Sequence, residues 1–143
     1  MATRTVDRAL AANLQSTISN MGDGPGGAPY PDARELGPTL AGALRTVRYV
    51  FTPGTTTDDA GNVIAATDDV EIETGFDPLY VLLHCTDTNE YQITHFYGQT
   101  NGIKVLNAGA TAQGAYCTFA AGKAVIKAAA TTNAVLHTVL VIG

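Results

Sequence analysis

The stretch LYVLLHCTDTNEYQITHFYGQTNGIKVLN, residues 79–107, decides the fold class. It holds three short apolar runs, separated by the turn sequences TDTN and GQTNG, and this is the pattern of strands joined by tight turns. Similar runs recur on both sides, at residues 44–53, 70–74, 115–120, 124–129 and 134–142. These runs predict a mainly β domain of about eight strands over residues 44–143, an antiparallel β-sandwich or jelly-roll-like module.

The period of two within these runs also predicts which side chains form the core. Alternate residues of a strand point to opposite faces, so the apolar member of each alternation is expected inside. The predicted core residues are Val81, Leu83, Ile93, Ile103, Val105, Val139 and Val141.

The first 43 residues have a different pattern and are predicted to lie outside the β-module. In residues 5–21, TVDRALAANLQSTISNM, the apolar positions recur every four residues, which predicts an amphipathic helix. Residues 22–38 contain five Gly and four Pro, a composition that predicts an extended arm. We therefore expect an N-terminal helix and arm over residues 1–43, with the arm held by another subunit.

Charge is unevenly distributed along the 143 residues, whose net charge is -5. The first 50 residues carry five Arg and four acids, residues 51–100 carry nine acids with no Lys or Arg, and the rest carries three Lys with no acid. This segregation indicates either that the ends of the chain meet in the fold or that they face different neighbours. A set of solvated acidic loops is the alternative. The overall acidity argues against direct binding of nucleic acid.

The acidic residues and histidines offer only weak signals for chemistry. Asp58 and Asp59 lie in a turn sequence that lacks calcium-loop spacing, and Glu71 with Glu73 could pair on one strand face as in a glycosidase. Three histidines, His84, His95 and His137, lie on three predicted strands, but no metal-binding motif joins them. We expect no catalysis, no metal and no cofactor.

The two cysteines and the start of the chain indicate the compartment. Cys85 and Cys117 are too few for a disulfide framework and are predicted to be small buried side chains. Adjacent strand residues point to opposite faces, so His84 and Cys85 should not share a ligand. The start MATRTVDRAL lacks the pattern of a signal peptide, and no run of 18 apolar residues suggests a membrane segment. We therefore expect a cytosol-like site of synthesis.

A longer pattern over residues 68–130 resembles small virion proteins of tailed bacteriophages. It consists of a strand, the sequence TGFDP at residues 74–78, a hydrophobic strand, an aromatic strand and a GIK strand at residues 102–104. The residues that carry the similarity are Val70, Thr74, Gly75, Phe76, Pro78, Val81, Phe96, Gly98, Gly102, Ile103 and Lys104. The final strand AVLHTVLVIG departs from the pattern, which is aromatic-rich there.

This resemblance implies a structural role in the virion, as a capsid decoration or cement protein that stabilises contacts between major capsid proteins. The implied partners are the major capsid protein or other virion subunits, and further copies of the chain as a dimer or trimer. A head-fibre base, a tail-associated part or a receptor- or carbohydrate-binding module is the alternative. Candidate interface residues are Arg4, Val6, Arg8, Leu10, Leu14, Ile18, Tyr30 and Arg34.

Overall fold

A computed structural model describes residues 2–9, 45–87 and 89–143, which form a mainly β fold as predicted. The strands are β1 (Thr3–Asp7), β2 (Thr46–Phe51), β3 (Asp69–Glu73), β4 (Tyr80–Thr86), β5 (Tyr91–Phe96), β6 (Gly102–Leu106), β7 (Thr111–Gly114), β8 (Cys117–Ala120), β9 (Lys123–Ile126) and β10 (Leu136–Ile142). Each of the eight predicted runs overlaps one strand, while β1 and β7 were not predicted. A short 3-10 helix, Ala128–Ala130, precedes β10.

The strands form two sheets. The smaller sheet has the order β1-β3-β9-β8, and the larger has the order β2-β10-β4-β5-β6-β7. All pairs are antiparallel except β1 with β3, which is parallel. Strands β4 to β7 follow one another as neighbours, so this part of the larger sheet is a meander.

The two sheets pack against each other around one hydrophobic core that draws side chains from both. At one side, the Arg8 guanidinium, just after β1, lies 4.8 Å from the Tyr49 ring centroid of β2. At the other side, the Phe119 ring of β8 lies 5.6 Å from the His95 ring of β5. The smaller sheet therefore lies over β2 on the β1 side and over β5 on the β8 side.

Strand β1 corrects the prediction for the start of the chain. Thr5, Val6 and Asp7 were predicted to begin a helix outside the β-module, but they lie in a strand that pairs with β3. Val6 is fully buried in the core. The strand contributes only one buried apolar side chain, Val6, and this position also fits the four-residue spacing of the predicted helix. The local sequence pattern therefore could not distinguish a strand from a helix. The rest of the predicted helix, and the arm over residues 22–38, lie outside the described residues.

The predicted core is confirmed for five residues and wrong for two. Val81, Leu83, Ile93, Val139 and Val141 are buried, whereas Ile103 and Val105 on β6 are more than two-fifths exposed. The register of β6 explains the difference. Ile103 pairs with Thr94, and Val105 pairs with Gln92, so both apolar side chains share the outer face of the sheet.

The inner face of β6 instead carries Gly102, Lys104 and Leu106. Gly102 is buried against β5. A Cβ there would lie only 2.8 Å from Thr94 O and 2.9 Å from His95 Nδ1, so the close approach of β5 and β6 requires glycine.

Candidate interaction surfaces

The described members of the predicted interface set make contacts within the molecule. Arg4 Nε donates to Asp68 Oδ2 at 2.8 Å, and Val6 is a core residue. Arg8 Nη1 lies 3.5 Å from Asp59 Oδ1 and stacks over Tyr49. Val6 is therefore buried, whereas the Arg4 and Arg8 side chains make these contacts while 25% and 35% exposed. Leu10, Leu14, Ile18, Tyr30 and Arg34 lie outside the described residues.

Asp68 is the buried acceptor at the centre of this N-terminal attachment. Its carboxylate accepts hydrogen bonds from Arg4 and from the backbone N–H groups of Ala65 and Ala2. The Arg4 hydrogen bond, followed by these N–H donors, lowers the pKa of Asp68 to about 2. The carboxylate is thereby held in its charged form, and it ties the start of β1 to the turn before β3.

The neighbouring loop confirms the turn interpretation of the Asp58 region. Asp58 Oδ1 accepts hydrogen bonds from the N–H groups of Ala60 and Asn62 at 3.0 and 2.7 Å, and these contacts lower its pKa. The adjacent Asp59 Oδ2 accepts from the N–H of Asp7 on the outer edge of β1. This loop therefore covers the outer edge of β1.

The outer face of the smaller sheet is charged. Lys123 Nζ lies 3.1 Å from Glu71 Oε2, and Lys127 Nζ lies 2.9 Å from Asp69 Oδ2. Acidic β3 thus lies between β1, with its arginines, and β9, with its lysines. The charge segregation in the sequence is largely explained by this arrangement, because the ends of the chain meet the acidic middle across the strands.

The outer face of the larger sheet is apolar by comparison. Tyr80 and Phe96 form a ring pair with centroids 4.6 Å apart at one end, and half-buried Leu82 and Leu140 pair across its centre. The strand residues with the largest apolar exposure on this face are Val50, Phe96, Ile103, Val105 and Leu136. The two outer surfaces of the molecule therefore differ in chemistry, and this apolar sheet face offers the broader apolar contact area.

A second feature lies along β8, which is the last strand of the smaller sheet. Lys127 N–H donates to Tyr116 O at 2.9 Å, directly ahead of the pairing of Cys117 with Ile126. In an antiparallel ladder, hydrogen-bonded pairs alternate with non-bonded pairs. The backbone groups of Thr118 therefore face β9, while those of Cys117 and Phe119 face away from it. Within the part of the chain that the structure describes, no strand pairs with this edge.

Two hollows follow this edge of β8 and meet at the rings of Tyr97 and Phe119. The first, of about 450 Å³, lies between residues 115–119 and the β5–β6 turn, residues 97–100. The second, of about 360 Å³, extends to Asp77, Leu79 and Ala121. Both volumes are in the range of ligand-binding clefts. We call the two hollows together the β8 groove.

The groove was missed at the sequence level, although its residues were visible there. Leu79 and Tyr97 are 56% and 64% exposed, and both were read as members of strands. Each lies one residue outside its strand, where the chain enters β4 or leaves β5. Large apolar side chains that flank a turn were the available signal, but strand boundaries are too uncertain in a sequence to use it.

A row of polar side chains is buried on the inner face of the larger sheet. Cys85 on β4 lies between His137 on β10 and Tyr91 on β5. His137 Nε2 accepts from Thr132 N–H at 3.1 Å, and the Tyr91 hydroxyl lies 3.2 Å from the same nitrogen. His137 Nδ1 is therefore the protonated nitrogen, donating to Val135 O at 2.8 Å. Burial lowers the pKa of His137 and raises that of Cys85.

This row holds the segment before β10 onto the sheet. The Tyr91 hydroxyl donates to Ala130 O at 2.8 Å. Together with the bonds of His137 to Thr132 and Val135, this contact joins the segment 130–135 to two core side chains. Both cysteines are buried free thiols, as predicted. Burial also raises the pKa of Cys117 to about 12, which keeps it protonated and unreactive at neutral pH.

The three histidines do not converge. His84 contacts Glu90 on the outer face, while His95 and His137 lie on the inner face in rows separated by Ile93 and Val139. Among the described residues, no group of three potential metal ligands is clustered. No described helix is long and apolar enough to cross a membrane.

Comparisons with protein-family models, with curated proteins and with solved structures found no match for this chain.

Proposed function

We propose that this chain is a structural virion protein of a tailed bacteriophage, a capsid decoration or cement protein that stabilises contacts between major capsid proteins. The observation that carries the proposal is the apolar sheet face. Polar residues stand beside some of its apolar ones, such as Thr94 opposite Ile103, but the exposed apolar side chains gathered on this one face favour protein–protein contact. The proposal also takes the two packed sheets as a β-sandwich that acts without catalysis, in the virion after assembly in the host cytoplasm.

The internal use of charge supports a role in which the apolar sheet face docks. Because Arg4, Arg8, Lys123 and Lys127 are paired with acids of the same chain, they are not available as the main anchors for a capsid subunit. A face with few charges loses little hydration on contact, which favours a persistent attachment. Self-association as a dimer or trimer through the same face is part of the proposal.

The test uses lysine substitutions on the apolar sheet face. We expect the double variant Ile103→Lys/Val105→Lys to keep its melting temperature but to lose binding to capsids that lack the protein. Thr5→Lys, at an exposed position on the charged sheet, is the matched control and should bind as the parent does. Equal binding of both variants would show that the face is not the attachment site.

Copy number separates this function from the alternatives within the virion. Quantitative mass spectrometry of purified particles should give hundreds of copies for a cement protein, in proportion to the major capsid protein. A few copies would indicate a head-fibre base or a tail-associated part.

Exposed Tyr97 beside Asp77 favours a receptor- or carbohydrate-binding module as the second candidate, since such a ring can stack on a sugar. A glycan array with wild type and Tyr97→Ala tests it.

A further inference from the structure

We propose that the free edge of β8 binds an extended polypeptide segment of a partner protein, which adds a fifth strand to the smaller sheet. The β8 groove described above would hold the side chains of that segment. This inference rests on the backbone geometry of β8 and does not depend on a virion role.

The backbone of β8 supplies the recognition. Cys117 and Phe119 each present an N–H and a C=O away from β9, and no backbone partner for them lies among the described residues. Addition of an extended strand would satisfy these four groups, which is the usual basis of β-strand addition. Strand β1, at the opposite edge, is different because the loop with Asp59 already contacts it.

The side chains around the edge supply the contact area. An extended segment directs alternate side chains to opposite faces. The side chains of the segment that point toward the larger sheet would enter the two hollows. The rings of Tyr97 and Phe119, with centroids 6.1 Å apart, separate these hollows. Exposed Leu79 borders the second hollow. The groove therefore favours a segment with apolar residues at every second position.

Charge sets the preferred orientation. Among the described residues that line the two hollows, Asp77 is the one charged side chain, and it is exposed at the Ala121 end. An Arg or Lys at that end of the bound segment would face this carboxylate. The partner is thus expected to present an extended apolar segment with one basic end.

A second copy that pairs its own β8 with this edge is disfavoured by charge. Strand β8, Cys117–Ala120, contains no Arg or Lys that could face Asp77. An extended segment of a partner protein can supply that basic end.

The experiment selects binders from a displayed library of eight-residue peptides with the whole protein as bait. We expect selected sequences to alternate apolar and polar residues, with Arg or Lys at one end. Phe119→Ala removes the ring and keeps the N–H, whereas Phe119→Pro removes both. Selected peptides should bind Phe119→Pro at least tenfold more weakly than Phe119→Ala. Equal binding to the two variants, or no enrichment, would overturn the proposal.

Two further measurements keep the test decisive if Phe119→Pro fails to fold. The best peptide is made with N-methyl groups on its even or on its odd positions, and only one of these versions should lose at least tenfold affinity for the wild-type protein. Hydrogen exchange on the protein alone should be fast at Phe119 N–H and slow at Thr118 N–H. Slow exchange at both would mean that the edge is already paired, and the proposal would be wrong.

Discussion

Arg4 and Asp68, 64 positions apart, are joined by a 2.8 Å hydrogen bond between a guanidinium and a buried carboxylate. The contact attaches β1 to the smaller sheet at the point where the chain enters β3. Arg4→Ala would leave the Asp68 charge with only its backbone donors. We expect the melting temperature to fall by several degrees. Arg48→Ala, at an exposed position of β2, is the control and should melt as the parent does.

The same carboxylate predicts a loss of stability in acid. Its pKa in the folded state is about 2, below the ordinary value of 3.8, so protons bind the unfolded chain more readily. The stability contributed by Asp68 is complete above about pH 4–5 and is lost as the pH falls toward 2. Urea unfolding over this range should give a smaller pH dependence for Asp68→Asn.

His137 predicts a second, separate pH effect. Burial lowers its pKa below the ordinary 6.5, and its Nε2 accepts a hydrogen bond that protonation would break. The free energy of unfolding should therefore decrease as the pH falls below about 7, because the unfolded chain takes up the proton. In His137→Gln this decrease should disappear. An unchanged slope in His137→Gln would contradict the assignment.

Val6 tests whether β1 is part of the folded unit. The side chain is fully buried, so Val6→Ala should lower the free energy of unfolding by about 1–3 kcal/mol. Val50→Ala, at a position 37% exposed, should cost clearly less. Chemical denaturation of the two variants measures the difference.

A truncation follows from the same attachment. If residues 1–43 lay outside the β-module, as the sequence predicted, removal of residues 1–38 would leave that module folded. The structure changes that expectation, because such a chain lacks β1 and leaves Ile72 and Asp68 without the cover of Val6 and Arg4. We expect its melting temperature to be strongly lowered. A melting curve like that of the full chain would show that β1 is dispensable.

The register of β6 gives a further prediction. Val105→Lys places a charge on the outer face and should change the free energy of unfolding by less than about 0.5 kcal/mol. Ile93→Ala, its counterpart on the buried face of β5, should cost about 2–5 kcal/mol. Similar costs for both would mean that the apolar sheet face is covered in the folded chain.

The local sequence pattern was sufficient to predict strands with a clear alternation of apolar and polar residues. It was insufficient where pairing with a distant segment determines the structure. The run at residues 79–85 shows its buried face directly, and β4 lies there. On β6, Ile103 and Val105 share one face, and Leu106 lies on the other with Gly102 and Lys104. Both faces therefore carry apolar residues, and the sequence could not show which face packs against the second sheet. Strand β7, TAQG, has no large apolar side chain and left no signal. Strand β1 depends on a parallel partner more than 60 positions away.

The interaction surfaces were harder to predict than the strands. Arg4 and Arg8 were reasonable interface residues on charge alone, because a sequence does not show that Asp68 and Asp59 lie beside them. The β8 groove forms only when the hairpin that contains Tyr97 lies next to the hairpin that contains Phe119. Nothing in the sequence indicates that these two residues are in contact. The alternation of residues predicts faces, but only the packed sheets show which edges and faces stay open.

The position of β10 has a consequence for synthesis of the protein. It pairs with β2 on one side and with β4 on the other, so the larger sheet stays in two pieces until residues 136–142 have left the ribosome. A nascent chain that stops before that point displays two unpaired strand edges and the apolar residues beneath them. Such edges recruit other chains. A pause that keeps residues 136–142 inside the ribosome should therefore send this protein toward aggregates, whereas emergence of these residues allows the larger sheet to close.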